Sequence, residues 1–139
     1  MANEEGYRDN KYYPDSQAPT RNQSNDVALF RYADILLEKS EAILRGANAT
    51  NGDSPLSLVN QVRSKAQAAA FTSVDLTGLL QERAREFADE GWRRNDLIRF
   101  GLYEQPWGIK TDANPQKRIF PIPTPELQLN SKLVQNPGY

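Results

Sequence analysis

The chain contains no cysteine and no histidine. Without thiols it forms no disulfides, no cysteine-containing zinc sites and no cysteine nucleophile. Without imidazole it cannot assemble a Ser-His-Asp triad of its own. Long hydrophobic runs are also missing: no apolar stretch approaches the roughly 20 residues that a bilayer-spanning helix needs. The opening residues, Met1-Ala2-Asn3-Glu4-Glu5, have neither the basic nor the apolar region of a secretory signal. As it stands, the chain is expected to be soluble and to carry no export signal. Nor is there an excess of one charge. The 17 basic side chains face 18 acidic ones, so nothing draws the chain over long range to nucleic acid or anionic lipid. No Gly-rich phosphate loop and no calcium-loop spacing of carboxylates occurs. No cofactor and no metal is expected. The triplet Asn48-Ala49-Thr50 has the N-glycosylation pattern and is read as a chance match.

What is present is helical. The length suits one domain, and a hydrophobic share of 38% implies a modest core with much loop. Residues 1–25 lack a helical period and read as an extended polar arm, leaving 26–139 as the helical domain. Asn25 or Asp26 can cap a first helix whose buried stripe would be Leu29, Ala33, Leu36, Leu37, Ser40, Ile43 and Leu44, with Gly46 as its stop. Ser54-Pro55 opens a second helix with Leu56, Val59, Val62 and Ala66 on one face. The following Ala68-Ala69-Ala70 could add a turn before Phe71 leaves the helix. Asp75 caps a third helix over about residues 76–91, with Leu76, Leu80, Ala84, Phe87 and Gly91 inward and the charges outward. Its last small residue, Gly91, would mark a close helix crossing. A short fourth helix over 95–100 buries Leu97 and Ile98 and stops at Gly101. Phe30, Phe87 and Phe100 are assigned to the core. Beyond lies a long loop, an extended Arg118–Pro123 segment and a brief helix from Thr124-Pro125. The expected fold is all-α: tetratricopeptide-like helix pairs with long ordered loops and an irregular C-terminal tail.

Blocks of this sequence resemble the SusD/RagB family. They run Phe30-Arg31-Tyr32-Ala33-Asp34-Ile35-Leu36-Leu37, then Leu58-Val59-Asn60-Gln61-Val62-Arg63. The likeness is strongest at Glu82-Arg83-Ala84-Arg85-Glu86-Phe87-Ala88-Asp89-Glu90-Gly91, and it continues through Asp96-Leu97-Ile98-Arg99-Phe100-Gly101. It closes with Phe120-Pro121-Ile122-Pro123 and Gln135-Asn136-Pro137-Gly138-Tyr139. The resemblance implies a non-catalytic lipoprotein exposed at the cell outer membrane. Such proteins capture oligo- or polysaccharide, or other nutrients, and work with a TonB-dependent, SusC-like transporter. Members are several times longer and begin with a signal peptide and a lipidated cysteine, so any membrane contact would run through an anchor absent from this chain. The chain is therefore expected to be the final portion of such a protein, with an apolar face at its cut end that promotes association. The alternative is a stand-alone helical-repeat module for protein–protein interaction.

Two groups of residues are candidates for function. Glu86 and Glu90 are i, i+4 neighbours, and paired carboxylates suggest glycoside hydrolysis. That reaction needs two carboxyls facing one another across a sugar, which one face of one helix does not supply. The expectation is a structural ion-pair network of Arg31, Asp34, Glu41, Glu86, Glu90, Arg93, Asp96 and Arg99, setting how the third helix meets its neighbours. No enzyme activity is expected. The second group is aromatic. Trp107, Tyr103, Tyr12 and Tyr13 lie outside helical stripes and are candidates to cover the flat C–H faces of a glycan, Trp107 being best placed for exposure. Tyr7 belongs to the same class. The same rings would serve equally as packed loop anchors, the commoner use of large aromatics.

Overall fold

Capping chemistry sets where the helices begin. In the computed structural model, which describes residues 11–12, 15–18 and 26–139, most of the predicted polar arm and Tyr13 fall outside the described residues. Helix α1 spans Tyr32–Leu44, α2 Pro55–Lys65 and α3 Leu76–Glu86. Ahead of α2, the Ser54 hydroxyl accepts the Ser57 N–H at 3.1 Å while the Ser57 hydroxyl accepts the Ser54 N–H at 2.9 Å. Two otherwise orphaned donors are satisfied reciprocally. Ahead of α3, Asp75 accepts the Gly78 N–H at 2.7 Å. Helix α1 departs from expectation. Its N-cap is Arg31, in extended conformation and without a side-chain cap, so Asp26 lies too far upstream to serve, and Asn25 falls outside the described residues. Leu29 and Phe30 consequently precede the helix and are 75% and 73% exposed, rather than in the core.

Helices α1 and α2 end in the same way. Gly46, at φ +103°, donates to Ile43 C=O, and Ala47 donates back to Ala42 C=O. Gln67 does the same for α2 at φ +55°, with Ala68 bonded to Arg63 C=O, so the Ala68–Ala70 run does not prolong the helix. Such left-handed caps satisfy the last carbonyls of a helix.

Helices α1, α2 and α3 pack on one another. Leu36, Leu37, Leu58, Val59, Val62, Leu79, Leu80 and Phe87 form their shared core. Each fully buried Leu or Val contributes roughly 1.5–3 kcal/mol. Ala66, expected inside, is exposed, because the face of α2 turns toward Leu58 instead. The inward stripe of α3 is Leu79, Leu80, Arg83 and Phe87, and Glu82 is buried beside it. Charges predicted to face solvent thus lie inside.

The chain divides into two compact units after Gly91. The second, Trp92–Tyr139, holds α4 (Arg93–Arg99), a 3-10 turn at Pro115–Arg118 and α5 (Thr124–Leu129). Its loops are fixed by side chains. The Gln135 amide accepts from Ile122 N–H at 2.8 Å and donates to Ile122 C=O at 2.9 Å. Asn136 donates to Phe120 C=O and the Tyr139 hydroxyl to Ile119 C=O, at 2.7 and 2.8 Å. Arg94 donates to the carbonyls of Lys117 and Arg118, and its guanidinium lies 4.0 Å from the Phe120 ring. The irregular tail is therefore a clamp on the extended Ile119–Pro123 segment. The chain is all-α: among the described residues there is no strand, only an isolated bridge between Trp107 and Lys110.

Helix α3 stops at Glu86, short of the predicted boundary, and a turn follows in which Gly91 takes φ +80°. A Cβ built on Gly91 meets nothing within 4 Å, so no close crossing occurs there. The constraint is on the backbone. Gly91→Ala and Gly91→Leu are expected to lose about 1–2 kcal/mol alike, the strain of a left-handed residue, with Gly91→Asn losing less. Urea denaturation of the three variants checks this; a Leu variant much worse than Ala would reinstate a crowded site.

Candidate functional site

The residues that precede α1 and those that end α3 carry opposite charges, and the fold brings them together. Arg31 uses its whole guanidinium. It grips Glu90 through Nε and Nη2 at 3.0 and 2.8 Å, and reaches Glu86 Oε1 through Nη1 at 2.8 Å. Its Nη2 also donates to the Glu86 carbonyl at 3.0 Å. Lys11 adds a contact to Glu90 at 2.5 Å and donates to the carbonyls of Glu86 and Ala88. A forked guanidinium suits this double carboxylate because its donors are coplanar and fixed.

Deeper lies a second pair. Arg83 Nη1 donates to Asp34 Oδ1 at 2.9 Å, and both side chains are 1% exposed. Asp34 Oδ2 is buried with no hydrogen-bond partner among the described residues. The Phe87 ring packs beside both arginines, with the Arg31 and Arg83 guanidinium carbons 5.1 and 5.0 Å from its centroid. Rings attract cations held over their faces.

Other members of the predicted network pair locally. Glu41 accepts from Arg45 one turn along the same helix, at 2.9 Å. Asp96, buried in the second unit, accepts from Arg99 at 2.9 Å. Arg93 is exposed at the start of α4. Sequence reasoning missed Arg83, which it placed on the outer face. The signal was available: Leu76, Leu79 or Leu80, Arg83 and Phe87 recur at i, i+3/i+4, i+7 and i+11. It also missed Arg63 and Arg85, which both donate to Glu82 Oε2 at 2.6 Å.

The described aromatic candidates fall in both units. Trp107 is 58% exposed at a turn closed by mutual backbone bonds with Lys110. Tyr103 is half-buried, with Arg94 and Lys110 at 5.4 and 5.2 Å from its ring. Tyr12, in the other unit, is 36% exposed. Among the described residues no acidic cluster is placed to hold a metal ion, and no helix is long and apolar enough to cross a membrane.

Residues 1–118 match the family model described as the SusD family. The chain belongs to the SusD family. This SusD-family chain is 34% identical over 124 residues to the starch-binding protein SusD of Bacteroides thetaiotaomicron, an alignment covering 82% of the chain and 22% of that protein. It is 34% identical over 144 residues to one SusD-like protein of Formosa agariphila, covering 88% of the chain and 26% of the relative. To another of that organism it is 30% identical over 149 residues, covering 98% and 29%. The chain thus spans about a quarter of the length of the curated relatives it matches.

Two outcomes follow for the ionic cluster. Removing one member of a buried pair strands the other, so Arg83→Met is expected to cost about 3–5 kcal/mol. Adding Asp34→Leu should recover part of that loss, measurable as a non-additive double-mutant cycle in urea. The second concerns acid. Burial pushes the Glu90 carboxyl up, but the bonds and charges of Arg31 and Lys11 outweigh this and hold it below its ordinary value. A carboxylate with a lowered folded pKa stabilises above its unfolded value, and this is lost as pH falls through the folded one. The gap in melting temperature between wild type and Arg31→Met should therefore be full at about pH 7 and close on acidification below about pH 4.

Proposed function

We propose that this chain is the C-terminal part of a non-catalytic, cell-surface glycan-binding protein of the SusD type. In this reading the longer protein captures oligo- or polysaccharide and passes it to a TonB-dependent, SusC-like transporter of the outer membrane. A lipid anchor outside this chain holds the assembly to the membrane. The observation that carries the reading is membership in a family with a starch-binding relative. The use made of the acids supports it. Glu86 and Glu90 are both held by Arg31, rather than facing each other across a sugar as glycoside hydrolysis requires. In this reading the helical unit supplies scaffold, and Trp107 is the most exposed of the described aromatic candidates.

Val27, Leu29, Phe30, Tyr32 and Ile35 support the view that the chain is one layer of a larger body. All are between 55% and 75% exposed along one stretch of chain. A helical stack exposes such a strip where its next layer is absent. The same strip also favours the second reading, a helical module that binds another protein.

Titration of the longer protein with maltohexaose and other oligosaccharides, followed by tryptophan fluorescence, separates the two readings. The expected result is saturable binding without hydrolysis, weakened in Trp107→Ala and unchanged in kind by Glu86→Gln. Absence of binding to every sugar, with capture of a protein unrelated to TonB-dependent transporters, favours the helical module instead. Turnover abolished by Glu86→Gln or Glu90→Gln overturns both.

A further inference from the structure

The link between α2 and α3 is exposed along most of its length, yet one aromatic within it is held on several sides. The Asn60 amide accepts the Phe71 N–H at 2.8 Å and donates to the Phe71 carbonyl at 3.0 Å. The Arg63 guanidinium lies 3.8 Å from the ring centroid. Arg63 is itself tied to Glu82 at 2.6 Å and to the Ala69 carbonyl at 2.7 Å. Arg85 stands 5.8 Å from the same ring and donates to Glu82 through both Nε and Nη2. Phe71 is only half-buried, so its ring keeps an open side.

That side opens onto two adjoining clefts. One, of about 440 Å³, is lined in part by Arg63, Phe71, Gln81, Glu82 and Arg85. The other, of about 370 Å³, is lined by residues that include Phe71, Ser73, Asp75, Gly78 and Gln81. Phe71 and Gln81 belong to both. Each cleft lies in the size range of small-ligand sites.

The lining selects a ligand class. Arg63 and Arg85 face two carboxylates in the first cleft, Glu82, which both engage, and Glu86, so its formal charges balance and favour no anion. It offers instead guanidinium, carboxylate and amide groups with fixed hydrogen-bond directions, set around an apolar ring. Hydroxyls of a pyranose satisfy such groups, while its C–H face covers a ring. We propose that this groove binds a neutral oligosaccharide, with two linked rings lying across Phe71 and Gln81. The proposal rests on the glycan-binding reading above and gives it a place in the helical unit.

The test uses the 139-residue chain, ¹⁵N-labelled and titrated with maltohexaose, cellohexaose and xylohexaose by NMR. With at least one probe, saturable shifts are expected at the amides of Phe71 and Gly78 and at the Gln81 side chain. Phe71→Ala should weaken binding by about tenfold, the scale of an anchor-residue truncation, with Phe71→Tyr close to wild type. Gln81 is exposed, so Gln81→Ala should weaken binding while leaving the rest of the spectrum intact, which guards against misfolding of the first variant. Affinity should hold when salt is raised, because screening acts on charged ligands; a steep loss overturns the assignment to neutral sugars. Shifts confined to Tyr103 and Trp107 overturn the groove and leave the glycan reading standing. No saturable shift with any probe overturns the groove, while the titration of the longer protein decides the broader reading separately.

Discussion

Asp34 and Arg83 meet where water does not reach them, and the helical unit is arranged around that meeting. A buried carboxylate and guanidinium each carry a desolvation cost of several kcal/mol, which only good geometry offsets. Asp34 stands in the first turn of α1 and Arg83 in the last turn of α3. A packing that slid α3 by one turn would separate them and leave two bare charges inside. The apolar contacts of Leu37, Val59 and Leu79 hold the helices together but tolerate several registers. The ion pair admits one. Arg31 then fixes the end of α3 from outside through Glu86 and Glu90, and by doing so keeps its own backbone extended and sets where α1 can start.

Much of this was legible in the sequence, for local reasons. Ser54-Pro55 and Asp75 start helices by capping chemistry that needs only neighbouring residues, and both do so. Gly46 ends α1 as expected. What escaped was decided by distant partners. The start of α1 depends on Arg31 engaging residues more than fifty positions away, which no local cap signal records. The burial of Glu82 and Arg83 was obscured because a charge on a helix is ordinarily a solvated face. Gly91 was read as a space-saving residue when its conformation, rather than its size, is what the turn uses. Of the aromatic candidates, Trp107 is exposed and Tyr103 is flanked by cations, whereas Phe71 was taken only as a residue leaving a helix.

The blocks that carry the family likeness find physical meaning in pairs. Residues of the Phe30–Leu37 block meet residues of the Glu82–Gly91 block through Arg31, Asp34, Arg83, Glu86 and Glu90. Within the second unit, Phe120–Pro123 meets Gln135–Tyr139 through side chain to backbone bonds. A signature that looks like a string of separate words is, in three dimensions, a set of matched halves. Each half supplies the partners that hold the other in place.

Asn60 and Gln135 do the same thing in different units: each uses one side-chain amide to engage both the N–H and the C=O of a single residue. An amide used this way recognises a position along the backbone and ignores the side chain there. Ordinary surface loops absorb inserted or deleted residues with little effect. The links containing Phe71 and Ile122 are pinned at one backbone position each, so an inserted residue has to be taken up wholly on one side of the pin. The amide thus constrains where along the link a residue sits, and at Phe71 the ring adds a constraint of its own through Arg63.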